Sequence, residues 1–240
     1  MKTKLLLFIT MLLFSVTVNS SAAVKLSVAS LSRTEFITFM KEFVTIAGFK
    51  ENRPAETFGI IGVEAGAGYE FFNTGKSSIW DDVYGQKTGS NENGIFVHIR
   101  KGLLFNLDAG VRYGNLVNTE TNYQSFELRY GIMRGSMLTP AVALTANYTV
   151  ITGFEDMKGN ILGLNLSASK GLGPWTPYAG IGVQRIMCEP FRVTGLKEEK
   201  ENVIVKYVGF RFSFTPVNYV NLQATVDKSV TFSASLNFGI

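Results

Sequence analysis

The chain has 240 residues, of which 46% are hydrophobic and 18% are charged, and its formal charge is +4 at pH 7. A charge this small provides no basic patch, so nucleic-acid binding is not predicted. With one histidine and one cysteine, Cys188, the sequence excludes an internal disulfide and predicts neither a metal site nor a cofactor.

Residues 1–23 have the pattern of a secretory signal peptide. Lys2 and Lys4 precede an apolar run from Leu5 to Val18, and small residues follow up to Ala23. We predict cleavage after Ala23, with a short transmembrane anchor as the alternative. Removing this segment takes away two lysines and no acid, which lowers the formal charge from +4 to +2.

Residues 24–57 are predicted to form a periplasmic segment with one amphipathic helix at 32–47. Ser32 and Glu35 have the spacing of a capping box, and apolar residues follow at helical intervals as far as Gly48. The apolar face of this helix has to be buried. It lies either on the membrane surface as a periplasmic clamp, which we favour because a barrel of this size is narrow, or in the barrel lumen as a plug.

Residues 58–240 carry apolar side chains at every second position, which is the pattern of strands with lipid on one face and a wet lumen on the other. The fold class that this pattern predicts is all-β: a transmembrane, antiparallel, up-and-down β-barrel of about ten strands, within a range of about eight to twelve. For each stretch we chose the parity that leaves fewer charges in lipid. The predicted strands are 58–71, 94–101, 103–113, 122–133, 140–150, 160–169, 177–187, 202–214, 217–227 and 229–239.

The connections between these strands predict an orientation. Short Gly- or Pro-containing turns are assigned to the periplasm, and the longer connections 72–93, 114–121, 151–159 and 188–201 to the cell exterior. An even number of strands then places both chain termini in the periplasm. In the longest connection, Trp80 and Tyr84 either contact a partner or fold back over the barrel mouth.

The lumen face is predicted to collect charges of both signs. A network of ion pairs that fills the interior is the favoured interpretation, and a gated aqueous path is the alternative. Inward-facing glycines indicate strand curvature, close approach of another group, or a cavity. The charged lumen residues that we single out are Glu64, His98, Arg100, Asp108, Arg112, Glu127, Arg129 and Arg211, and Glu70, Gln184 and Gln223 share their face.

Two basic residues, Arg185 and Lys206, fall on the predicted lipid face and flank the same exterior connection. Long basic side chains reach lipid phosphates from such positions. We predict that this edge contacts lipopolysaccharide, with interfacial snorkelling without a specific lipid as the alternative.

An enzymatic role is not predicted. The single histidine, His98, has no serine at a spacing that indicates a nucleophile and base pair, and the inward-facing serines are ordinary lumen residues. A lipid hydrolase or acyltransferase is the alternative that release of fatty acid by the protein would support.

The signal peptide, the alternating strands, the segment Pro177 to Val183 and a terminal strand containing Phe238 resemble the small Gram-negative outer-membrane barrels of the OmpA-transmembrane, OmpX and OmpW type. The resemblance covers residues 58–240 and is architectural. It implies the cell outer membrane as location, its lipids as partners, and assembly by periplasmic chaperones and the barrel-insertion machinery. The expected function is a structural barrel or a narrow porin-like channel for small solutes, with a lipid-modifying enzyme or a surface adhesion barrel as alternatives.

Overall fold

The computed structural model describes residues 23–240 except positions 75, 76, 88, 90, 137 and 192. The predicted signal peptide, apart from Ala23, lies outside these residues and stays a prediction. Two helices are present in the described part, α1 (Arg33–Ala47) and α2 (Ser77–Tyr84), and neither is long and apolar enough to cross a membrane. The strands are β1 (Val63–Asn73), β2 (Asn91–Gly102), β3 (Leu107–Leu116), β4 (Asn122–Arg134), β5 (Ala141–Thr152), β6 (Met157–Ser169), β7 (Trp175–Pro190), β8 (Glu199–Ser213), β9 (Asn218–Val226) and β10 (Val230–Gly239).

The ten strands pair with their sequence neighbours, and β1 pairs with β10 to close the ring. Every pairing is antiparallel, and the closing register runs from Glu64 opposite Gly239 to Asn73 opposite Val230. The predicted fold class, a closed up-and-down barrel with an N-terminal helix, is therefore confirmed. The first strand begins at residue 63 instead of 58, because a turn closed by the Gly62 N–H to the Gly59 carbonyl occupies the rim (3.1 Å).

Alternation along each strand produces an apolar exterior. On β4, for example, Phe126, Leu128 and Tyr130 are exposed, whereas the intervening Glu127 and Arg129 are buried. The same pattern on β7 exposes Ile181 and Val183. Apolar side chains therefore cover most of the outer wall of the ring, and the charged side chains of the strands mostly face its interior.

The barrel has two different ends. We name them the α2 end, which carries both helices and residues 74–90, and the C-terminal end, where Ile240 lies. The other connections at the α2 end are 117–121, 153–156, 191–198 and 227–229, and those at the C-terminal end are 103–106, 135–140, 170–174 and 214–217. The four long connections at the α2 end are shorter than predicted because the strands extend into them, whereas 227–229 is two residues longer.

Inward glycines lie directly opposite large inward side chains of the neighbouring strand. On β7 and β8, Gly180 is opposite Tyr207, and Gly209 is opposite Tyr178. A Cβ atom on Gly180 would lie 2.3 Å from the Tyr207 ring, and one on Gly209 would lie 2.4 Å from the Tyr178 ring. Of the three explanations for these glycines, close approach of another group therefore applies here: each glycine lets a neighbouring ring lie flat against the wall.

We expect Gly180→Val to destabilise the barrel by about 1–3 kcal/mol, because the new side chain overpacks the space of the Tyr207 ring. The matched control is Ala179→Val, whose side chain is exposed on the outer wall. The measurement is a heat-modifiability gel, which gives the temperature at which the band of the folded barrel is replaced by that of the unfolded chain. Equal midpoints for the two variants would show that the ring does not need the glycine.

Candidate functional site

The N-terminal segment lies inside the barrel, so its predicted periplasmic placement is wrong. We call residues 24–57 the plug. Helix α1 has the predicted cap, in which the Ser32 N–H donates to Glu35 Oε2 (2.9 Å) and the Glu35 N–H donates to Ser32 Oγ (3.4 Å). The helix ends at Ala47, and most of its residues from Phe36 onward are buried. The apolar arc that fits a membrane surface instead fits the inner wall.

The α2 end of the lumen is filled by an apolar core. Phe39 and Phe43 of α1 pack against Trp80 of α2 and against Phe154, with ring centroids 5.1–6.2 Å apart. The Trp80 indole N–H donates to Glu42 Oε2 (3.0 Å). Helix α2 therefore folds back over the barrel mouth. The wall contributes inward apolar residues to this core: Phe72, Leu116, Tyr123, Ile151, Met157, Ile161, Ile186, Cys188, Val203 and Val205.

The start of the plug is attached to the connections at the α2 end. The Val24 N–H donates to the Asn118 carbonyl (2.9 Å), and the Val28 N–H donates to Asp156 Oδ1 (3.0 Å). At the C-terminal end, the Ile240 N–H donates to the Val63 carbonyl (2.9 Å). Residue 24 and residue 240 therefore lie at opposite ends, which corrects the prediction that both termini share one side.

The C-terminal turn of α1 is tied to the short connection between β9 and β10. The Thr45 hydroxyl donates to Asp227 Oδ1 (2.5 Å), and the Thr231 hydroxyl donates to the Thr45 carbonyl (3.2 Å). Burial raises the pKa of the Asp227 carboxyl, and the hydrogen bond from Thr45 opposes that rise. The helix is thus fixed to the rim by polar contacts as well as by its apolar face.

Residues 48–57 cross the lumen without forming a helix or a strand, and side chains of the wall form hydrogen bonds with their backbone. The Gln184 amide donates to the Phe49 carbonyl (2.7 Å), and the Asn52 N–H donates to Gln223 Oε1 (2.8 Å). Nearer the C-terminal end, the Ala55 N–H donates to Ser169 Oγ (3.0 Å). These bonds replace the strand or helix partners that this stretch lacks.

Three fully buried ion pairs join residues 48–57 of the plug to the wall, in addition to two partly exposed pairs between α1 and β8. Lys50 Nζ lies 3.8 Å from Glu70 Oε1, and Arg53 pairs with Asp108 at 2.6 Å. Glu51 pairs with Arg129, and all six side chains are buried. Sequence reasoning missed Lys50, Glu51 and Arg53, because their wall partners are far away in the chain.

A second group of ion pairs lies within the wall. Arg100 pairs with Glu64 (2.5 Å) and with Glu127, and Arg112 pairs with Glu70 (2.6 Å). The Glu64 carboxylate also contacts His98 Nε2 (3.1 Å) and the Arg211 guanidinium (3.6 Å). All eight residues that the sequence singled out thus face the lumen, seven of them in ion pairs and His98 in a hydrogen bond with Glu64. The gated aqueous path through these charges stays a prediction.

The two outward basic residues do not form one cluster. Both side chains are exposed on the outer wall, but Arg185 is opposite Asn202, whereas Lys206 is opposite Ile181, four residues nearer the C-terminal end. The lipopolysaccharide contact of this pair therefore stays a prediction, and the two side chains lie at different heights along the barrel axis.

Neither the protein-family models nor the curated proteins include a match to this sequence. Solved structures similar to the chain include the outer membrane protease OmpT from Escherichia coli, with 10% identity, coverage of 77% of this chain and 98% of that chain, and a TM-score of 0.44. The N-terminal β-barrel domain of Pseudomonas aeruginosa OprF matches with 11% identity, 76% and 99% coverage and a TM-score of 0.34. The translocator domain of autotransporter NalP from Neisseria meningitidis matches with 10% identity, 86% and 95% coverage and a TM-score of 0.37. These values are too low for any inference about function, and the architecture of this chain rests on its own strand pairing.

We expect Arg129→Gln to destabilise the protein by about 3–5 kcal/mol, because it leaves the Glu51 carboxylate buried without its partner. Adding Glu51→Gln should recover part of this loss. Chemical unfolding in detergent, followed by tryptophan fluorescence, measures both variants. The control is Arg33→Gln, which breaks an exposed ion pair with Glu199 and should cost less than about 1 kcal/mol. Equal losses for Arg129→Gln and Arg33→Gln would contradict a stabilising role of the buried pair.

Proposed function

We propose that this protein is an outer-membrane β-barrel of the Gram-negative envelope that forms a narrow path for small solutes, closed in this state by its own plug. The apolar outer wall supports the membrane location, since strands that face lipid alternate in this way. The polar, charged lumen around residues 48–57 supports a path for hydrophilic solutes once that segment moves.

One arrangement of charges carries this proposal. Asp108 of β3 and Arg129 of β4 are direct cross-strand neighbours on the lumen face, yet each pairs with the plug. Inward side chains at such positions have Cβ atoms about 4.5–5.5 Å apart, which is within reach of a direct ion pair. Departure of Glu51 and Arg53 would therefore let Asp108 and Arg129 pair with each other.

The same exchange is possible within the plug. Glu51 and Arg53 carry opposite charges and are separated by one residue, so they are able to compensate each other away from the wall. The wall pairs centred on Arg100, Glu64 and Glu127 involve no plug side chain and stay intact. Release of the ionic half of the plug thus leaves no isolated buried charge, which is the main electrostatic penalty such a motion would otherwise meet.

The apolar half of the plug acts as the seal. Helix α1 keeps Phe36, Phe39 and Phe43 buried at the α2 end, and withdrawing them exposes both the helix and the inner wall. We therefore expect the wild-type barrel to be closed most of the time. In this proposal the apolar core sets how rarely the path opens, and the charges set how it conducts.

Two observations favour this function over its rivals. His98 Nε2 forms a hydrogen bond with Glu64 Oε1, and the imidazole stacks on the Phe96 ring with centroids 5.9 Å apart. These contacts support a role of His98 in the lumen charge network and not in catalysis. Trp80 is fully buried under the mouth of the barrel, so its indole does not serve as a surface adhesion anchor.

Planar-bilayer recording tests the path. The double variant Glu51→Gln/Arg53→Gln should raise the open probability at least tenfold, which corresponds to about 1.4 kcal/mol, because it removes two plug-to-wall pairs and favours the Asp108–Arg129 pair. The matched control, Lys200→Gln, breaks an ion pair with Glu198 (2.8 Å) that involves no plug residue, and it should conduct like the wild type.

A disulfide lock makes the same test independent of charge. Asn52 Nδ2 donates to Ser235 Oγ (2.9 Å), so Asn52→Cys with Ser235→Cys, in a Cys188→Ala background, joins the plug to β10. Oxidation should abolish the openings and reduction should restore them. If the folded Glu51→Gln/Arg53→Gln barrel shows no conductance at any voltage, the channel proposal fails and a closed scaffold remains.

The location and orientation are tested separately by labelling intact cells with a membrane-impermeant maleimide. Ala29 is exposed at the α2 end and Leu138 is exposed in the connection 135–140 at the C-terminal end. We expect Ala29→Cys to be labelled from outside and Leu138→Cys to be labelled only after the outer membrane is permeabilised. The reverse pattern would invert the proposed orientation.

A further inference from the structure

The outer wall carries an apolar groove across β8, β9, β10 and β1. Its volume is about 550 Å³. Its floor is made by the small outward residues Ala224 and Ala234, and larger apolar side chains rise around them. Register places Ala224 between Val208 and Phe232, and Ala234 between Leu222 and Tyr69. The groove follows from this sequence pattern, since two alanines stand among larger residues on one face.

Two lysines stand at the α2 end of this groove. Lys206 is the next outward residue of β8 after Val208 in the direction of the α2 end, and it lies opposite Val226 of β9. Lys228 is exposed in the connection between β9 and β10. Within the described residues, neither ammonium group has an ion-pair partner. The nearby carboxylate of Asp227 accepts from Thr45 of the plug, so it is already engaged on the inner side of the rim.

The immediate wall around Lys206 is apolar. Its neighbours on the outward face are Ile181 of β7, Val226 of β9, and Ile204 and Val208 of β8, and all four are exposed. A cation that is surrounded by lipid-facing side chains extends toward the head groups. Strand β9 ends at Val226 and β10 begins at Val230, whereas the neighbouring β8 extends to Glu199, so the rim of the barrel is lower beside Lys206. Lys228, in the connection between β9 and β10, therefore lies at the same end of the groove as Lys206.

We propose that this groove and its two lysines form a binding site for lipid A, the phosphorylated and acylated glucosamine lipid of the outer leaflet. Acyl chains lie along Ala224 and Ala234, and a phosphate group lies between the ammonium groups of Lys206 and Lys228. The inference rests on the proposed outer-membrane location and orientation, which put the α2 end at the outer leaflet. It does not require the barrel to conduct.

A second groove on the outer wall serves as an internal comparison. It has a volume of about 390 Å³ and is lined by apolar residues of β2, β3 and β4, among them Val97, Val111 and Phe126. The next outward positions on β3 and β4, Asn115 and Asn122, are uncharged. Acyl chains fit both grooves, but at the α2 end a cationic head-group site adjoins only the first of these two.

Native mass spectrometry of the delipidated protein, titrated with lipid A, tests the site. We expect Lys206→Gln/Lys228→Gln to weaken lipid A binding about tenfold. Ala234→Phe should also weaken it, although both lysines remain. The matched controls are Lys158→Gln, which removes an exposed lysine of β6, a strand that does not line the groove, and Val111→Phe, which fills the second groove. Both should bind like the wild type.

The head group is tested with dephosphorylated lipid A. It should bind the wild type more weakly than lipid A does, and the difference should vanish in Lys206→Gln/Lys228→Gln. Equal wild-type affinity for phosphatidylglycerol and lipid A would overturn the choice of ligand. Loss of lipid A binding in Arg185→Gln alone would overturn the site. A dimer that Ala234→Phe dissociates would also overturn it, because a second copy of the chain would then occupy the groove. Channel recordings can fail while all of these expectations hold, so the two proposals fail separately.

Discussion

The requirement that a ring of ten strands have a filled interior shapes the rest of this structure. Eight strands give an interior that their own side chains fill, and each further strand widens it. Here the chain supplies the missing material itself, by passing residues 24–57 through the ring that its later residues build. The plug is therefore part of the folded core, and the barrel wall is the surface against which it is packed.

The filling is divided by chemistry along the barrel axis. At the α2 end, where the inner wall is apolar, α1 presents Phe39 and Phe43; nearer the C-terminal end, where the wall is charged, the plug presents Glu51 and Arg53. Burial of ions costs several kcal/mol each, so the ionic half adds less net stability than the apolar half but fixes the register of the plug. A shift of the plug by one residue would separate each charge from its partner, whereas the apolar side chains would find other apolar neighbours on the inner wall.

The sequence predicts the wall much better than its contents. Strand β4 was predicted at 122–133 and is found at Asn122–Arg134, because lipid outside and polar lumen inside impose a period of two that is readable residue by residue. The capping box of α1 is equally local. The position of α1 is not, since an apolar helical face fits a membrane surface and an apolar inner wall equally well. The signal that distinguishes them was present: Ile151, Ile161 and Val203 occupy inward positions near the α2 end, where a water-filled lumen would carry polar residues. The partners of Glu51 and Arg53 were beyond reach, because an ion pair between residues so far apart in sequence leaves no periodic trace.

Chain connectivity links the plug to the closure of the ring. The plug leads directly into β1 through the rim turn at residues 58–62, and β1 and β10 form the closing pair. Asn52 contacts Ser235 of β10, and Arg53 contacts Asp108 of β3, so the plug bridges strands on both sides of β1. A ring that closed first would have to admit an entire capped helix through a lumen lined by buried ion pairs. Closure around a plug already lying on the open sheet avoids that passage, and it lets the charges of β3, β4 and the plug find their partners before the last pair of strands excludes water.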